Sequence, residues 1–148
     1  MKFLNYHKVR FLFFAIQLLL LLGCKTNEQI DLTNLKGYWE IDFITQKNEI
    51  FKTNTRSPLY DFYVIEYPKG IQKKVAPMFD GSFETSPSSL QFEIIEQNQN
   101  SILRYTTPWN TWDEVIEKLD SEKLVLLIEG KRYHYKRPQL YSKLQTDE

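Results

Sequence analysis

Cysteine and histidine are nearly absent from this sequence. Its single cysteine is Cys24, and its two histidines are His7 and His134. One cysteine cannot form a disulfide within the chain, so the fold must be stabilised by its core. Zinc and similar metals are usually held by three or four ligands drawn from Cys, His and acidic residues. The composition therefore predicts no metal site.

The sequence also lacks an excess of positive charge and a long apolar run. It has 19 basic and 19 acidic residues, and its basic pairs Lys73-Lys74 and Lys131-Arg132 are isolated. Nucleic-acid binding needs a concentrated basic surface, so no nucleic-acid partner is predicted. The longest apolar run, residues 11–22, is shorter than the roughly 20 residues of a transmembrane helix.

The N-terminus has the layout of an export signal. Three basic residues lie among the first ten, the apolar run 11–22 follows, and the small residue Gly23 ends it. This order is typical of a secretory signal peptide. We expect residues 1–23 to form a signal helix that is cleaved, which leaves 125 residues with a net charge of minus 3.

The segment Leu21-Leu22-Gly23-Cys24 resembles the lipobox of bacterial lipoproteins. In that family the cysteine receives a diacylglycerol, the signal is cut before it, and the new N-terminus is acylated. The resemblance implies lipid attachment at Cys24, no other cofactor, a tether over 24–34, and anchoring in the cell envelope at the outer membrane. It leaves periplasmic and surface-facing exposure open. The alternative is a spare cysteine in a plain signal-anchored protein.

The rest of the chain is predicted to be all-β. Trp39, Ile41 and Phe43 alternate with Glu40 and Asp42, which is the period of a half-buried strand. Short strands at intervals of about 8–12 residues favour an antiparallel barrel or sandwich. The predicted strands are 38–45, 59–67, 90–94, 102–107, 124–128 and 132–136, with weaker candidates at 49–52 and 73–78.

Residues 111–119 are where helix and strand compete. Four apolar residues there have helical spacing, but nine residues between a proline loop and a polar turn make a marginal helix. We predict a strand. The whole pattern then indicates a small antiparallel up-and-down barrel over 35–140, because closure removes exposed strand edges. Residues 141–148 are predicted to be a flexible polar tail.

Two motifs resemble the lipocalin and lipocalin-like families. Leu35-Lys36-Gly37-Tyr38-Trp39-Glu40 is similar to their G-x-W opening, which implies that Gly37 turns the chain and Trp39 closes the barrel floor. Tyr133-His134-Tyr135-Lys136-Arg137 is similar to the end of Bacteroidota lipoproteins of this type, and implies that Arg137 packs over Trp39. The middle motif, T-D-Y, has no clear match, so the resemblance is to the broader calycin-type barrel.

The resemblance implies that the barrel mouth binds a small hydrophobic ligand or a lipid. The predicted lining residues are aromatic: Phe43, Phe62, Phe92, Tyr105, Trp109, Trp112, Tyr133 and Tyr135. For Trp109 and Trp112, core packing is the simpler interpretation, and stacking on a ligand or partner at the barrel mouth is the other. A barrel this small can also be filled by its own side chains. The protein would then be a structural or interaction lipoprotein, an accessory subunit or inhibitor of a protein partner.

No group of residues predicts catalysis. After removal of the signal His134 has no second histidine, and it is expected to face outward between two tyrosines. Asp113, Glu114 and Glu117 lie near two tryptophans, as carboxylates do in sugar-cleaving enzymes, but an acidic exposed face is the simpler interpretation. The serines of loop 86–89 lack a glycine elbow. We therefore predict a protein that is not an enzyme.

Overall fold

The computed structural model describes residues 30–52, 59–78 and 80–139. Its elements are a 3₁₀ helix (Leu32–Leu35) and the strands β1 (Gly37–Gln46), β2 (Glu49–Lys52), β3 (Tyr60–Glu66), β4 (Lys69–Pro77), β5 (Phe83–Thr85), β6 (Leu90–Gln97), β7 (Asn100–Thr106), β8 (Thr111–Leu119), β9 (Lys123–Ile128) and β10 (Lys131–Lys136). None of the three segments contains a helix long and apolar enough to cross a membrane. The predicted signal 1–23, Cys24 and the tail 141–148 lie outside the described residues.

Eight of the strands close into an antiparallel up-and-down barrel. The order around it is β1, β3, β4, β6, β7, β8, β9 and β10, and pairing of β10 with β1 closes the ring. The other two strands are additions, because β2 forms a hairpin with the second half of β1 and β5 pairs with the end of β4. The predicted antiparallel up-and-down barrel is therefore confirmed.

The strand predictions succeed at the difficult positions and miss some boundaries. Residues 111–119 form β8, as predicted, and the weaker candidate 49–52 is β2. β4 begins at Lys69 rather than at residue 73. A two-residue turn joins it to β3, so pairing of the two strands starts at once, with Glu66 opposite Lys69. The three-residue strand β5 was not predicted, since a segment this short has no periodicity to detect.

One end of the barrel is closed by the 3₁₀ helix and Trp39. Asp31 caps this helix by accepting a hydrogen bond from the Thr33 backbone N–H at 3.0 Å. Leu35 and Trp39 are fully buried, and Trp39 Nε1 donates to the Leu35 carbonyl at 2.9 Å. Ile30 and Leu32 also pack against the core. Residues 30–34, predicted to be part of the tether, thus belong to the barrel floor.

Arg137 fastens the last strand to this floor. Its guanidinium lies 3.7 Å from the Trp39 ring centroid, which is the contact that the sequence predicts. It donates to the Asn34 carbonyl at 2.6 Å and to the Tyr38 carbonyl at 2.9 Å. Gly37 adopts a φ of 96°, in the left-handed region that favours glycine, where the chain turns from the helix into β1. The three motif residues therefore build one structural unit.

Candidate functional site

The barrel interior is the candidate site, and five of the eight predicted lining residues face it. Successive side chains of a strand point to opposite faces, so Tyr63, Phe92 and Tyr105 point inward from three strands. The five predicted residues found inside are Phe92, Tyr105, Trp112, Tyr133 and Tyr135. Phe92, Tyr105 and Tyr135 are buried, and Trp112 and Tyr133 are half-buried against the core.

Phe43 does not line the interior, which corrects the sequence prediction. The register between β1 and β10 shifts between Ile41 and Phe43, so Asp42 is an extra residue in β1. A bulge of this kind reverses the face of every later side chain. Ile41 points inward, whereas Phe43 stacks on His134 outside, with ring centroids 4.2 Å apart. His134 faces outward as predicted.

Phe62 and Trp109 also lie outside the interior. Phe62 alternates with the inward Tyr63 and packs against Tyr38, at 4.6 Å between ring centroids. Tyr38 in turn stacks on Phe83 of β5 at 4.3 Å, so β5 covers this outer aromatic cluster. Trp109 is 90% exposed in the loop between β7 and β8. It is therefore neither core nor lining, although its neighbour Trp112 is inside.

A buried polar group that was not predicted from the sequence lies on the inner faces of β3 and β4. Asp61 is 2% exposed and accepts a hydrogen bond from Gln72 Nε2 at 2.8 Å. Lys74 Nζ lies 2.6 Å from the same Asp61 Oδ1 atom, while its side chain remains half-exposed. A buried carboxylate needs such partners, because an unpaired charge inside a protein is very costly.

Glu114 is the second buried acid, and it corrects the prediction of an exposed acidic face. Asp113 and Glu117 do lie outside, in ion pairs with Arg104 and Arg132. Glu114 points inward between them and is 7% exposed. Burial raises its pKa to about 7, so near neutral pH this carboxyl group is partly protonated.

An aromatic wall stands beside Glu114. Trp112 Nε1 donates to Glu114 Oε1 at 3.1 Å, which fixes the carboxyl group against the indole. The Trp112 ring stacks on Tyr105, with centroids 4.9 Å apart and planes inclined by 5°. Tyr105 contacts Phe92 at 5.4 Å, and Phe92 contacts Tyr63 at 6.0 Å. Connected rings thus run from the half-buried Trp112 into the core.

Two tyrosine hydroxyls in this wall have no hydrogen-bond partner among the described residues. The Oη atoms of Tyr63 and Tyr105 are buried and form no hydrogen bond of ordinary geometry, although the two hydroxyls lie close enough for Tyr63 to act on Tyr105 and lower its pKa slightly against the larger effect of burial. Burial raises the pKa of both tyrosines above the ordinary value, as it does for Tyr135. A buried hydroxyl left unpaired costs about 1–3 kcal/mol. These two groups therefore favour a partner with polar atoms.

Two large concavities lie outside this interior. A groove of about 470 Å³ runs across the outer face of β3, β4, β6 and β7, and its lining includes the apolar Val64 and Ile71 and the charged Glu93 and Arg104. A second, of about 490 Å³, lies beside the 3₁₀ helix. No group of His, Cys and acidic side chains suited to a metal occurs within 30–52, 59–78 and 80–139.

Among known proteins, only solved structures resemble this chain in the comparisons that were made. No family model matches the chain, and no curated protein matches it. At 12% identity, a lipocalin-like protein from Bacteroides uniformis aligns with a TM-score of 0.45, over 71% of this chain and 99% of its own. An uncharacterized protein from Bacteroides eggerthii, at 12% identity, gives 0.43 over 70% and 98%. Lobster apocrustacyanin A1, also 12% identical, gives 0.42 over 78% and 69%. The barrel of this chain is established by its own strand pairing.

Proposed function

We propose that this protein is a lipid-anchored binding protein of the cell envelope whose barrel holds a small ligand with a hydrophobic body. The observation that carries the proposal is the pair of unpaired hydroxyls, Tyr63 and Tyr105, in an aromatic interior that also holds two acids. A barrel filled only for stability has no use for such groups, since apolar side chains of the same size cost less. A ligand supplies the missing partners.

The location of the ligand follows from the direction of the strands. β1 starts at the closed floor, and the barrel strands alternate in direction, so β8 starts at the opposite end. Thr111 and Trp112 open β8, and the half-exposed Lys74 of β4 pairs with Asp61 across the strands. A ligand entering here meets the indole of Trp112 before the buried acids. This arrangement of a largely apolar wall with a few polar groups is common in small-molecule sites.

Ligand binding is tested by native mass spectrometry of the chain from residue 25 onward, purified from the organism that encodes it. We expect a small-molecule adduct at one copy per chain that disappears after organic extraction. A matched variant, Trp112→Ala, should lose the adduct, whereas Trp109→Ala, altered on the exposed loop, should keep it. A bare mass for the unaltered protein under the gentlest conditions would contradict ligand binding.

The anchor is the second part of the proposal and rests on the sequence around Cys24. Lipid on this residue would place the protein at the outer membrane without any transmembrane segment, since two or three acyl chains hold a protein stably. Growth with an alkyne-tagged fatty acid should label the full chain and fractionate it with membranes. The Cys24→Ala variant should take up no label. Equal labelling of both proteins would show that Cys24 is not the attachment residue.

An interaction protein is the second candidate, and the outer groove favours it. Val64 and Ile71 are paired across β3 and β4 and are 42% and 37% exposed. Charged side chains also line the groove, including Glu66, Lys69 and Arg104. Exposed apolar surface with a polar rim is typical of protein contacts. A bare mass in the experiment above, together with loss of a co-purifying protein in Ile71→Asp, would support this candidate instead.

A further inference from the structure

The barrel interior contains an acid, Glu114, that has no ion-pair partner among the described residues, although Lys74 acts on it from a longer distance. Of its two buried carboxyl groups, Asp61 has Lys74 at 2.6 Å. Glu114 has only the Trp112 N–H at 3.1 Å and forms no ion pair within the described residues. An ionised carboxyl group accepts several hydrogen bonds and donates none. Glu114 is therefore an acceptor that remains largely unused.

The unpaired hydroxyls belong to the same region. The carboxyl groups of Asp61 and Glu114 both influence the pKa of Tyr63, and both influence the pKa of Tyr105. The two tyrosines are 1% and 0% exposed. A hydroxyl can accept as well as donate, so the region presents several acceptor positions close to an acid that has no direct ion-pair partner. The complementary group is positively charged and rich in donors.

We infer that the ligand is a small organic amine, whose ammonium group binds Glu114 and whose apolar or aromatic body lies against Trp112 and Tyr105. An ammonium has three donors, enough for the carboxyl group and a tyrosine hydroxyl together. The adjacent aromatic faces also attract a cation. A fatty acid would instead bring a third carboxylate beside two acids. This inference rests on the proposed function and specifies its ligand.

The binding of an amine must depend on pH. Glu114 has to be ionised to pair with the ammonium, and burial raises its pKa to about 7. Below that value, binding displaces a proton, so affinity falls by about tenfold per pH unit. The titratable and charged groups that face Glu114 from the other strands are Asp61, Tyr63, Lys74, Tyr105 and Tyr135.

Calorimetry on the full chain in lipid nanodiscs tests the inference with matched probes. The first series is 2-phenylethylamine, 2-phenylethanol and phenylacetate, and the second is tryptamine, tryptophol and indole-3-acetate. We expect each amine to bind about tenfold or more tightly than the carboxylate of its series near pH 8. Equal or tighter binding of the alcohol or the carboxylate would overturn the inference while leaving ligand binding intact. Failure of both amines to bind would also overturn the inference.

Variants then assign the preference to Glu114. Glu114→Gln should abolish the preference for amines, and Glu117→Gln should retain it, because Glu117 lies on the same strand but pairs with Arg132 outside. Should Glu114→Gln not fold, proton release is measured on the unaltered protein in buffers of different ionisation heat. Near pH 6.5 a fraction of a proton should leave on binding. Binding without proton release would overturn the role of Glu114, and an absent adduct in native mass spectrometry would remove the proposed function itself.

Discussion

Glu114 makes barrel stability depend on pH in an uncommon direction. Its pKa is about 7 in the folded protein, against 4.5 for an ordinary glutamate. The folded state therefore holds the proton more tightly, and the stabilisation present below pH 4.5 is lost as pH rises through about 7. The full difference amounts to about 3 kcal/mol, since one pKa unit corresponds to about 1.4 kcal/mol.

Urea denaturation at about pH 5.5 and about pH 8 measures this effect. We expect the unaltered protein to lose stability between the two conditions relative to Glu114→Gln, whose side chain stays neutral at both. Glu117→Gln should behave like the unaltered protein, because that carboxyl group is outside. The same pH response in Glu114→Gln and the unaltered protein would show that Glu114 is not a buried acid.

Some of the site was predictable residue by residue, and some of it was not. Trp39 and Arg137 were predicted to touch because both belong to recognisable motifs at the two ends of the barrel. Asp61 and Glu114 were missed because acidic residues are usually exposed. Strand parity carried the signal, since Asp61 shares a face with Tyr63, and Glu114 with Trp112 and Ile116. An acidic residue at a position where the alternation predicts an inward, apolar side chain indicates a buried acid, and a buried acid indicates a candidate functional group.

At the scale of elements, the packing of β4 against β6 depends on a glycine, Gly70, whose lack of a side chain leaves room for the Phe92 ring. Gly70 faces inward, and a Cβ atom there would clash with the Phe92 ring. That ring contacts Tyr63 and Tyr105, so it cannot move aside without disturbing them. We expect Gly70→Ala to destabilise the barrel by about 1–3 kcal/mol, as overpacking of a core does.

A double-mutant cycle separates the clash from other effects of alanine at this position. In a Phe92→Leu background the ring is gone, so Gly70→Ala should cost clearly less than it does alone. Guanidinium denaturation of the four proteins gives the coupling free energy. Equal costs in both backgrounds would show that the two strands are not fitted around this contact.

Strand β1 shows that sequence alternation predicts which side chains face the interior only up to the first bulge in a strand. The alternation of Trp39, Ile41 and Phe43 continues unbroken in the sequence, yet Asp42 is an extra residue and Phe43 lies outside. The inner aromatics of β6, β7 and β10 were placed correctly because each lies on the regular part of its strand. β5 and the floor helix depend on tertiary contacts and have no pattern of their own.

For the whole molecule, closure of β1 with β10 predicts a single cooperative unit. The first and last barrel strands are paired, so no sheet edge of the ring can open without breaking the interior. We expect a chain from residue 25 onward to unfold in one transition, with tryptophan fluorescence and far-ultraviolet circular dichroism coinciding. Deletion from residue 131 onward, which removes β10, should abolish folding. Two separated transitions would contradict a continuous barrel.

Arg137 bonded to Asn34 means that the beginning and the end of the barrel meet at one pole. Cys24 precedes Ile30 by six residues, a step of at most about 20 Å when extended. In the proposed anchored protein, the membrane therefore adjoins the closed end, and Trp112, at the start of β8, lies at the opposite end. A molecule anchored in this way would have its closed end next to the bilayer, and it would take up the proposed ligand from the aqueous side instead of extracting it from the lipid.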